Sequence, residues 1–181
     1  MHSKPPIFPQ RLSLPDPARP RREALEKNNM KLHLRLPPLA LTAIAAGLGS
    51  VIARALPAFA LELPARYWVA GAFGGLGLAC SILGVAAFRR ARTTVNPLTP
   101  AATTALVVSG IYRLTRNPMY LGFLCVLLAE IAWLANPAAL LVAGGFVLYL
   151  NRYQIAPEEH ALRARFGPAY LSYAARVRRW I

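Results

Sequence analysis

The sequence predicts an all-α, polytopic membrane protein with about four transmembrane helices. Hydrophobic residues make up 56% of the 181 residues and charged residues only 15%, whereas a soluble domain has about 25% charged residues. Lys and Arg nevertheless number 21 against 7 acids, which gives a formal charge of +14. The apolar content excludes a disordered basic tail and argues against nucleic acid as a partner, because a soluble DNA-binding domain has a modest core and a wet basic surface. The combination instead indicates membrane helices with positive loops on one side.

Four apolar runs are the predicted helices. They are residues 36–56, 67–88, 119–135 and 138–153. The first two have about 20 residues each, or about 30 Å as a helix, which matches the hydrocarbon core of a bilayer. The last two are shorter and are joined only by Asn136-Pro137, a turn signal, so they predict a helical hairpin. An alternative for the first run is a signal peptide that begins at Met30, but its length and the three later runs favour a retained helix.

The distribution of positive charge predicts the orientation. Of the 21 Lys and Arg, 19 lie in residues 1–35, 89–118 and 151–181. By the positive-inside rule, these three segments are cytoplasmic, and residues 57–66 and the hairpin turn lie outside. We therefore expect a multi-pass protein of the cytoplasmic (inner) membrane with both termini in the cytoplasm.

The chain divides into three parts. Residues 1–29 are rich in Pro and Arg without an apolar period, which predicts a disordered extension, and Met30 is a candidate start. Residues 30–92 contain the first two helices, and residues 93–181 contain the hairpin and two polar segments. The three histidines are too scattered to predict a metal site.

Two features inside the apolar runs predict helix contacts. Gly71, Gly74 and Gly75 have the small-residue spacing of closely packed membrane helices. Glu130 is an acid within the third run, where such residues are paired or functional, so we expect a structural or oligomer contact.

The segment before the hairpin has an interpretation that needs no ligand. Residues 104–108 suggest a β-like or half-buried stretch. In the following Arg-Asn-Pro-Met-Tyr, Asn117 is a favourable helix N-cap and Pro118 suits the first helical position. Arg116 can contact lipid phosphate and Tyr120 can lie at the interface.

The tail has a similar alternative. Glu158 and Glu159 follow Pro157, and acids favour a helix N-terminus because of the macrodipole. They are, however, the only acids of residues 151–181, among six arginines. Two acids in such a setting need a cationic partner, and a ligand could supply it.

The ordered series of motifs closely resembles the isoprenylcysteine carboxyl methyltransferase family. The series runs from residues 104–112 through Arg116-Asn-Pro-Met-Tyr-Leu-Gly122 and the hairpin to Glu158-Glu159, Phe166-Gly167, Tyr170, Tyr173 and Arg179-Trp180. It covers about residues 93–181, which the resemblance implies are a methyltransferase core. That family consists of integral membrane enzymes that use S-adenosylmethionine, held in a cytosolic pocket under the C-terminal segment. Phospholipid and thiol methyltransferases share the C-terminal pattern, and membrane sterol reductases share it more distantly.

The resemblance implies specific site residues. Cofactor contacts are implied at Thr104, Ala105, Leu106, Val107, Tyr112, Arg116, Asn117, Pro118, Met119, Tyr120 and Glu158. Substrate positioning or catalysis is implied at Arg152, Gln154 and Glu159. Asn117 stands where the family commonly has His, and Gln154 stands where eukaryotic members have an Arg that helps position the substrate. Glu159 and His160 are the candidate bases.

These features predict methyl transfer from S-adenosylmethionine to a lipophilic small-molecule or prenylated acceptor at the cytoplasmic membrane interface. The acceptor could be a carboxylate, as in isoprenylcysteine carboxyl methylation. Three alternatives stay open: a phospholipid or thiol methyltransferase, a sterol-reductase-like NADPH oxidoreductase, and a non-catalytic protein whose arginines bind membrane lipids.

Overall fold

The computed structural model describes residues 36–91 and 105–181, which form helices and no strand. The predicted extension, Met30 and Thr104 lie outside these residues. The α-helices are α1 (Pro38–Ala55), α2 (Arg66–Arg90), α3 (Pro118–Leu134), α4 (Leu140–Tyr149), α5 (Ala156–Phe166) and α6 (Pro168–Arg176). Short 3₁₀ turns occupy Pro57–Phe59, Gly110–Arg113 and Pro137–Ala139, and a π-helical segment, Leu150–Ile155, joins α4 to α5.

The helices confirm the all-α prediction and agree with a membrane protein. α1, with 18 residues, and α2, with 25, are long and apolar enough to cross a bilayer. α3 is also apolar but has 17 residues. The third and fourth runs form the predicted hairpin, although whether its two arms cross the membrane stays a prediction.

α2 and α3 approach each other most closely at Gly77 and Gly122, and of the three glycines with the predicted spacing Gly74 also faces α3, where an added Cβ would lie 3.9 Å from the Ala129 Cβ. A Cβ added to Gly77 would lie 2.7 Å from the carbonyl oxygen of Gly122, and one added to Gly122 would lie 2.8 Å from that of Gly77. Around Gly71 and Gly75, by contrast, an added Cβ would meet nothing within 4 Å. The predicted close packing at Gly71 and Gly75 is therefore wrong, because those residues face outward, while the Gly77–Gly122 contact brings the two backbones together.

α3 lies at the centre of the bundle, between α2 on one side and α1 and α4 on the other. Its buried Leu127 and Ile131 share a core with Phe146 of α4 and Ala45 of α1. Glu130 accepts a hydrogen bond from the Ser50 hydroxyl of α1 at 2.7 Å, so this acid makes a contact within the chain.

The hairpin turn is built around one buried amide. Ala135 adopts a left-handed conformation with φ 48°, which ends α3. Asn136 then donates through Nδ2 to the carbonyls of Ala53 and Leu56, and its Oδ1 accepts from the Ala138 N–H at 3.0 Å. The Asn-Pro turn thus also satisfies carbonyls at the end of α1 that lack intrahelical partners.

The helical backbone continues without a break from α4 through the π segment into α5. Leu150, Ile155 and Ala156 all have right-handed helical torsions. Pro157 has no N–H to donate to a carbonyl of the preceding turn. That turn belongs to the π segment, where the hydrogen-bond pattern changes from the α-helical to the π-helical spacing. Glu158 and Glu159 lie in the first turn of α5, as predicted, but the helical backbone that continues from the π segment leaves that turn without a free N-terminus for them to cap.

The two ends of the bundle carry different groups. The Tyr67 and Trp133 rings meet edge-on at 5.0 Å, near the hairpin turn, where the Leu61 N–H donates to the Ala135 carbonyl. The beginning of α3, the π segment and the C-terminal residues lie at the opposite end, and they form the candidate site.

Candidate functional site

The first component of the site is a half-buried carboxylate that lies against the first turn of α3. The Tyr120 hydroxyl donates a short hydrogen bond to Glu158 Oε1. Burial raises the pKa of Glu158 to about 7, the Tyr120 hydrogen bond opposes this rise, and the neighbouring Glu159 adds to it. A carboxyl group with a pKa near neutrality can bind a cation or a proton at physiological pH.

Glu159 occupies a different environment, between two arginines. Arg179 donates through Nη2 to Glu159 Oε2 at 2.7 Å and through Nε to Oε1 at 3.1 Å. Arg116 Nη2 lies 3.1 Å from Oε1. Both oxygens of Glu159 are thus engaged, and it would have to break an ion pair before taking a proton as a base.

The C-terminal residues connect the site across its elements. The Arg178 carbonyl accepts from the Arg116 N–H at 3.0 Å, and the Arg179 carbonyl accepts from Asn117 Nδ2 at 2.9 Å. Asn117 holds the N-cap position of α3, but its side chain makes no capping hydrogen bond. The prediction that its side chain caps α3 is wrong, because its amide binds the tail instead.

The aromatic wall of the site is formed by Tyr112. This residue is buried with Val107 and Ala87, and its ring meets that of Phe88 edge-on at 5.4 Å. Its backbone carbonyl accepts from the Tyr173 hydroxyl at 2.8 Å. Burial raises the pKa of Tyr112, and Tyr173 and Glu158 add smaller contributions in the same direction.

The described part of the 104–108 segment is neither helix nor strand. Ala105 and Leu106 are half-buried and Val107 is buried, so the stretch is half-buried as predicted but not β. At the start of α3, Pro118 is buried and Met119 is half-buried, with the Met119 side chain packed against Gly84 of α2.

The residues predicted for substrate positioning lie in different environments. Gln154 is fully buried, at 0% exposure, and lies on the inner side of the π segment. Arg152 is exposed. His160 is also exposed. The structure therefore brings together the predicted residues of the α3 start, Glu158 and Glu159, and leaves Arg152 and His160 outside.

The site also includes residues that the candidate set lacked. Arg179 binds Glu159, and Asn151 of the π segment accepts from Trp180 Nε1 at 3.1 Å. The Arg179-Trp180 pair was part of the motif series, so it could have been included. Nothing in the local sequence distinguishes Asn151, because its role depends on the tail reaching the π segment.

Comparisons with known proteins give sequence matches that include part of this site. A family model described as phospholipid methyltransferase matches residues 65–169, which begin at α2 and include Glu158 and Glu159. An uncharacterized protein of Haemophilus influenzae is 46% identical over 63 residues, which are 35% of this chain and all of that protein.

Two plant enzymes are also similar. Protein-S-isoprenylcysteine O-methyltransferase B of Arabidopsis thaliana is 36% identical over 72 residues, 40% of this chain and 36% of the relative. A probable protein-S-isoprenylcysteine O-methyltransferase of Oryza sativa subsp. indica is 39% identical over 75 residues, which are 40% of this chain and 38% of that relative. The chain thus spans little more than a third of each plant protein, and the resemblance inferred from the motifs is confirmed. No solved structure matches.

Proposed function

Because the chain belongs to the phospholipid methyltransferase family, we propose that it transfers a methyl group from S-adenosylmethionine to a lipophilic substrate at the cytoplasmic face of a membrane. The observation that carries this proposal is that the beginning of α3 lies against both acids of α5: Tyr120 donates a hydrogen bond to Glu158, and Arg116 lies 3.1 Å from the adjacent Glu159. The amino-acid end of S-adenosylmethionine is a zwitterion, so it requires one anionic and one cationic partner side by side.

The residues present fit that requirement. Arg116 Nε is buried and has no hydrogen-bond partner, and a buried donor without a partner costs free energy that a bound acceptor can recover. A ligand carboxylate would engage Arg116, and a ligand ammonium would engage ionised Glu158. The ion pair with Glu159 uses Arg116 Nη2, so Arg116 can offer Nε to a ligand without leaving that ion pair.

The chain's own contribution to catalysis is positioning. When bound, the cofactor supplies a methyl group on a sulfonium, which is transferred by in-line displacement. Tyr112 and Tyr120 offer aromatic faces to the adenine ring or to the positive sulfur. Orientation of the reactants and exclusion of water then supply most of the rate acceleration. Residues 178–180 of the tail support both effects, because they hold the start of α3 in place.

The charge distribution supports the proposed location. We propose that the protein is multi-pass in the cytoplasmic membrane with both termini inside. The site then lies at the cytoplasmic end of the helices, where a water-soluble cofactor and a membrane-embedded substrate can meet. Residues 93–181 are the proposed methyltransferase core, with Thr104 and its neighbours as further cofactor contacts.

Two substrate classes follow from the comparisons. The names of the plant relatives suggest a prenylated cysteine carboxylate, and the family description suggests a phospholipid. Both have an apolar tail that lies in the bilayer, which suits a site at the end of exposed apolar helices.

Ligand-dependent melting tests the proposal. The detergent-purified full chain should melt at a higher temperature with S-adenosylhomocysteine, because a ligand that binds the folded state stabilises it, and should not respond to NADPH. A response to NADPH alone would indicate an oxidoreductase, and no response to either would refute cofactor binding. Incubation with trideuteriomethyl-labelled S-adenosylmethionine and native membranes should then add one labelled methyl group to a lipophilic product, detected by mass spectrometry.

A further inference from the structure

Two exposed arginines and two exposed apolar side chains meet where the tail contacts the segment before α3. The Arg116 N–H donates to the Arg178 carbonyl at 3.0 Å, so the two segments lie side by side. Leu114 is 73% exposed and Ile181 is 80% exposed, and the neighbouring Arg113 and Arg178 are also exposed. We call this set the tail patch, and it consists of Arg113, Leu114, Arg178 and Ile181.

The arginines of the tail patch are available to a ligand. Neither of them forms an ion pair with an acid in the described part of the chain. Arg178 donates through Nη1 to the main-chain oxygen of Ile181 at 3.5 Å, which uses one of the five N–H groups of a guanidinium. Both side chains can therefore donate to a phosphate, which arginine binds through paired hydrogen bonds.

The charge around the tail patch favours an anionic partner. Among the described residues after position 104, every exposed Lys, Arg, Asp or Glu side chain is an arginine. Glu158 is half-buried and Glu159 is buried, so no exposed acid in this described part of the chain offsets the positive surface. The anionic lipids of a cytoplasmic leaflet attract such clusters of positive charge.

The apolar members of the tail patch favour a membrane over a soluble anion. Leu114 is four residues before Pro118, so it lies within about 14 Å of the first residue of α3. In the proposed orientation, this position is at the cytoplasmic edge of the bilayer. A leucine beside an arginine suits that edge, because the apolar side chain enters the acyl region while the guanidinium stays at the phosphates.

We infer that the tail patch binds anionic phospholipids of the cytoplasmic leaflet, and that this contact strengthens cofactor binding because it fixes the tail. The inference rests on the proposed function and adds a membrane lipid as a second ligand, bound on the outer surface of the tail. The partner is the headgroup of a lipid in the bilayer, not a soluble phosphate.

The tail patch is linked to the site through the backbone. Arg178 contributes its guanidinium to the patch and its carbonyl to the Arg116 N–H. The next carbonyl, that of Arg179, accepts from Asn117 Nδ2, and the Arg179 side chain binds Glu159. A lipid phosphate at Arg178 would therefore fix the residues that position Arg116, which we assign to the ligand carboxylate. By linkage, a lipid that favours this arrangement raises the affinity of a ligand that requires it.

The test compares the full chain in nanodiscs of phosphatidylcholine with the same chain in nanodiscs that also contain phosphatidylglycerol. At pH 8 and constant ionic strength, affinity for S-adenosylhomocysteine should be at least about fivefold higher in the anionic nanodiscs. This ligand is a zwitterion without net charge, so its attraction to the bilayer does not explain the increase. An anionic surface also attracts protons, which would neutralise Glu158 and weaken binding, so the expected increase opposes that trend.

Two double variants assign the effect to the tail patch. Arg113→Gln with Arg178→Gln removes both guanidinium groups but keeps the carbonyl of residue 178, and it should abolish the difference between the two bilayers. Arg89→Gln with Arg90→Gln is the matched control, because it removes two exposed arginines of the last turn of α2. This control should retain the difference.

A spin label reports contact with the bilayer independently of the cofactor. Attached to Leu114→Cys, the label should be relaxed more by oxygen and less by a water-soluble nickel chelate in the anionic nanodiscs than in phosphatidylcholine alone. The unsubstituted protein is the blank, because Cys80 and Cys125 are buried.

Equal affinity in the two bilayers, or a difference that persists in Arg113→Gln with Arg178→Gln, overturns the inference. An equal increase on addition of inorganic phosphate to phosphatidylcholine nanodiscs also overturns it, because the partner would then be a free anion. Failure to bind S-adenosylhomocysteine in either bilayer would overturn the proposed function and the coupling to it. The label at position 114 would still decide whether the tail patch contacts anionic lipid.

Discussion

The substitution Glu158→Gln separates a ligand-binding carboxylate from a structural one. The glutamine has nearly the same shape, and its Oε1 can still accept the Tyr120 hydrogen bond, so the change removes mainly the charge. A desolvated ion pair with a ligand ammonium that loses one partner costs about 2–5 kcal/mol. Affinity for S-adenosylhomocysteine should therefore fall by more than about thirtyfold.

The stability of the ligand-free protein should change in the opposite direction. The pKa of Glu158 rises from 4.5 to about 7 on folding, so ionised Glu158 destabilises the folded state by up to about 3 kcal/mol. Because this pKa is raised, the stabilising contribution of the carboxyl group is complete below pH 4.5 and is lost as the pH rises through 7. At pH 8 the charge is present, and Glu158→Gln should raise the free energy of unfolding.

The assay is isothermal titration with S-adenosylhomocysteine at pH 8, together with thermal melting of the ligand-free protein in the same detergent. Glu159→Gln is the matched control, because it neutralises the adjacent acid but leaves two arginines without their partner. It should lower the melting temperature, since breaking a buried ion pair is destabilising. Unchanged affinity in Glu158→Gln, or a ligand-free protein that melts at a lower temperature, would refute the ligand-binding role.

Three further predictions follow from the same contacts. Affinity for S-adenosylhomocysteine should increase about tenfold between pH 6 and pH 8 as Glu158 ionises, and titration of Glu158→Gln should show no such rise. Gly122→Val should lower the melting temperature strongly, because its Cβ would collide with the Gly77 carbonyl and Ser81, whereas Gly75→Ala, which meets nothing within 4 Å, should leave it unchanged or raise it. Arg179→Met should destabilise the protein by about 1–3 kcal/mol in denaturation experiments, because it removes two charge-assisted hydrogen bonds; an unchanged midpoint would contradict the importance of that ion pair.

The positions of the first three apolar helices could be predicted from the sequence to within about two residues, whereas the fourth run, 138–153, extends past the end of α4 into the π segment. Apolar runs of bilayer length, the Asn136-Pro137 turn and Pro118 at the first position of α3 are local signals, since each depends on residues close in the chain. The family and the importance of the α3 start and the two acids also followed from motifs whose order is visible in the sequence. The glycine contacts did not, because α2 contains five glycines at similar spacings and only the facing helix selects Gly77.

The different roles of Glu158 and Glu159 were decided by the tertiary structure. In the sequence they are adjacent acids after a proline, and either could be a helix cap, a base or a ligand. In the structure, the continuous α4–α5 helix removes the free N-terminus that a cap requires. Adjacent helical residues point about 100° apart, so Glu158 meets the Tyr120 hydroxyl while Glu159 meets Arg116 and Arg179. The chain alone determined that both acids lie among arginines, and only the approach of the tail to α5 determined which of them is neutralised.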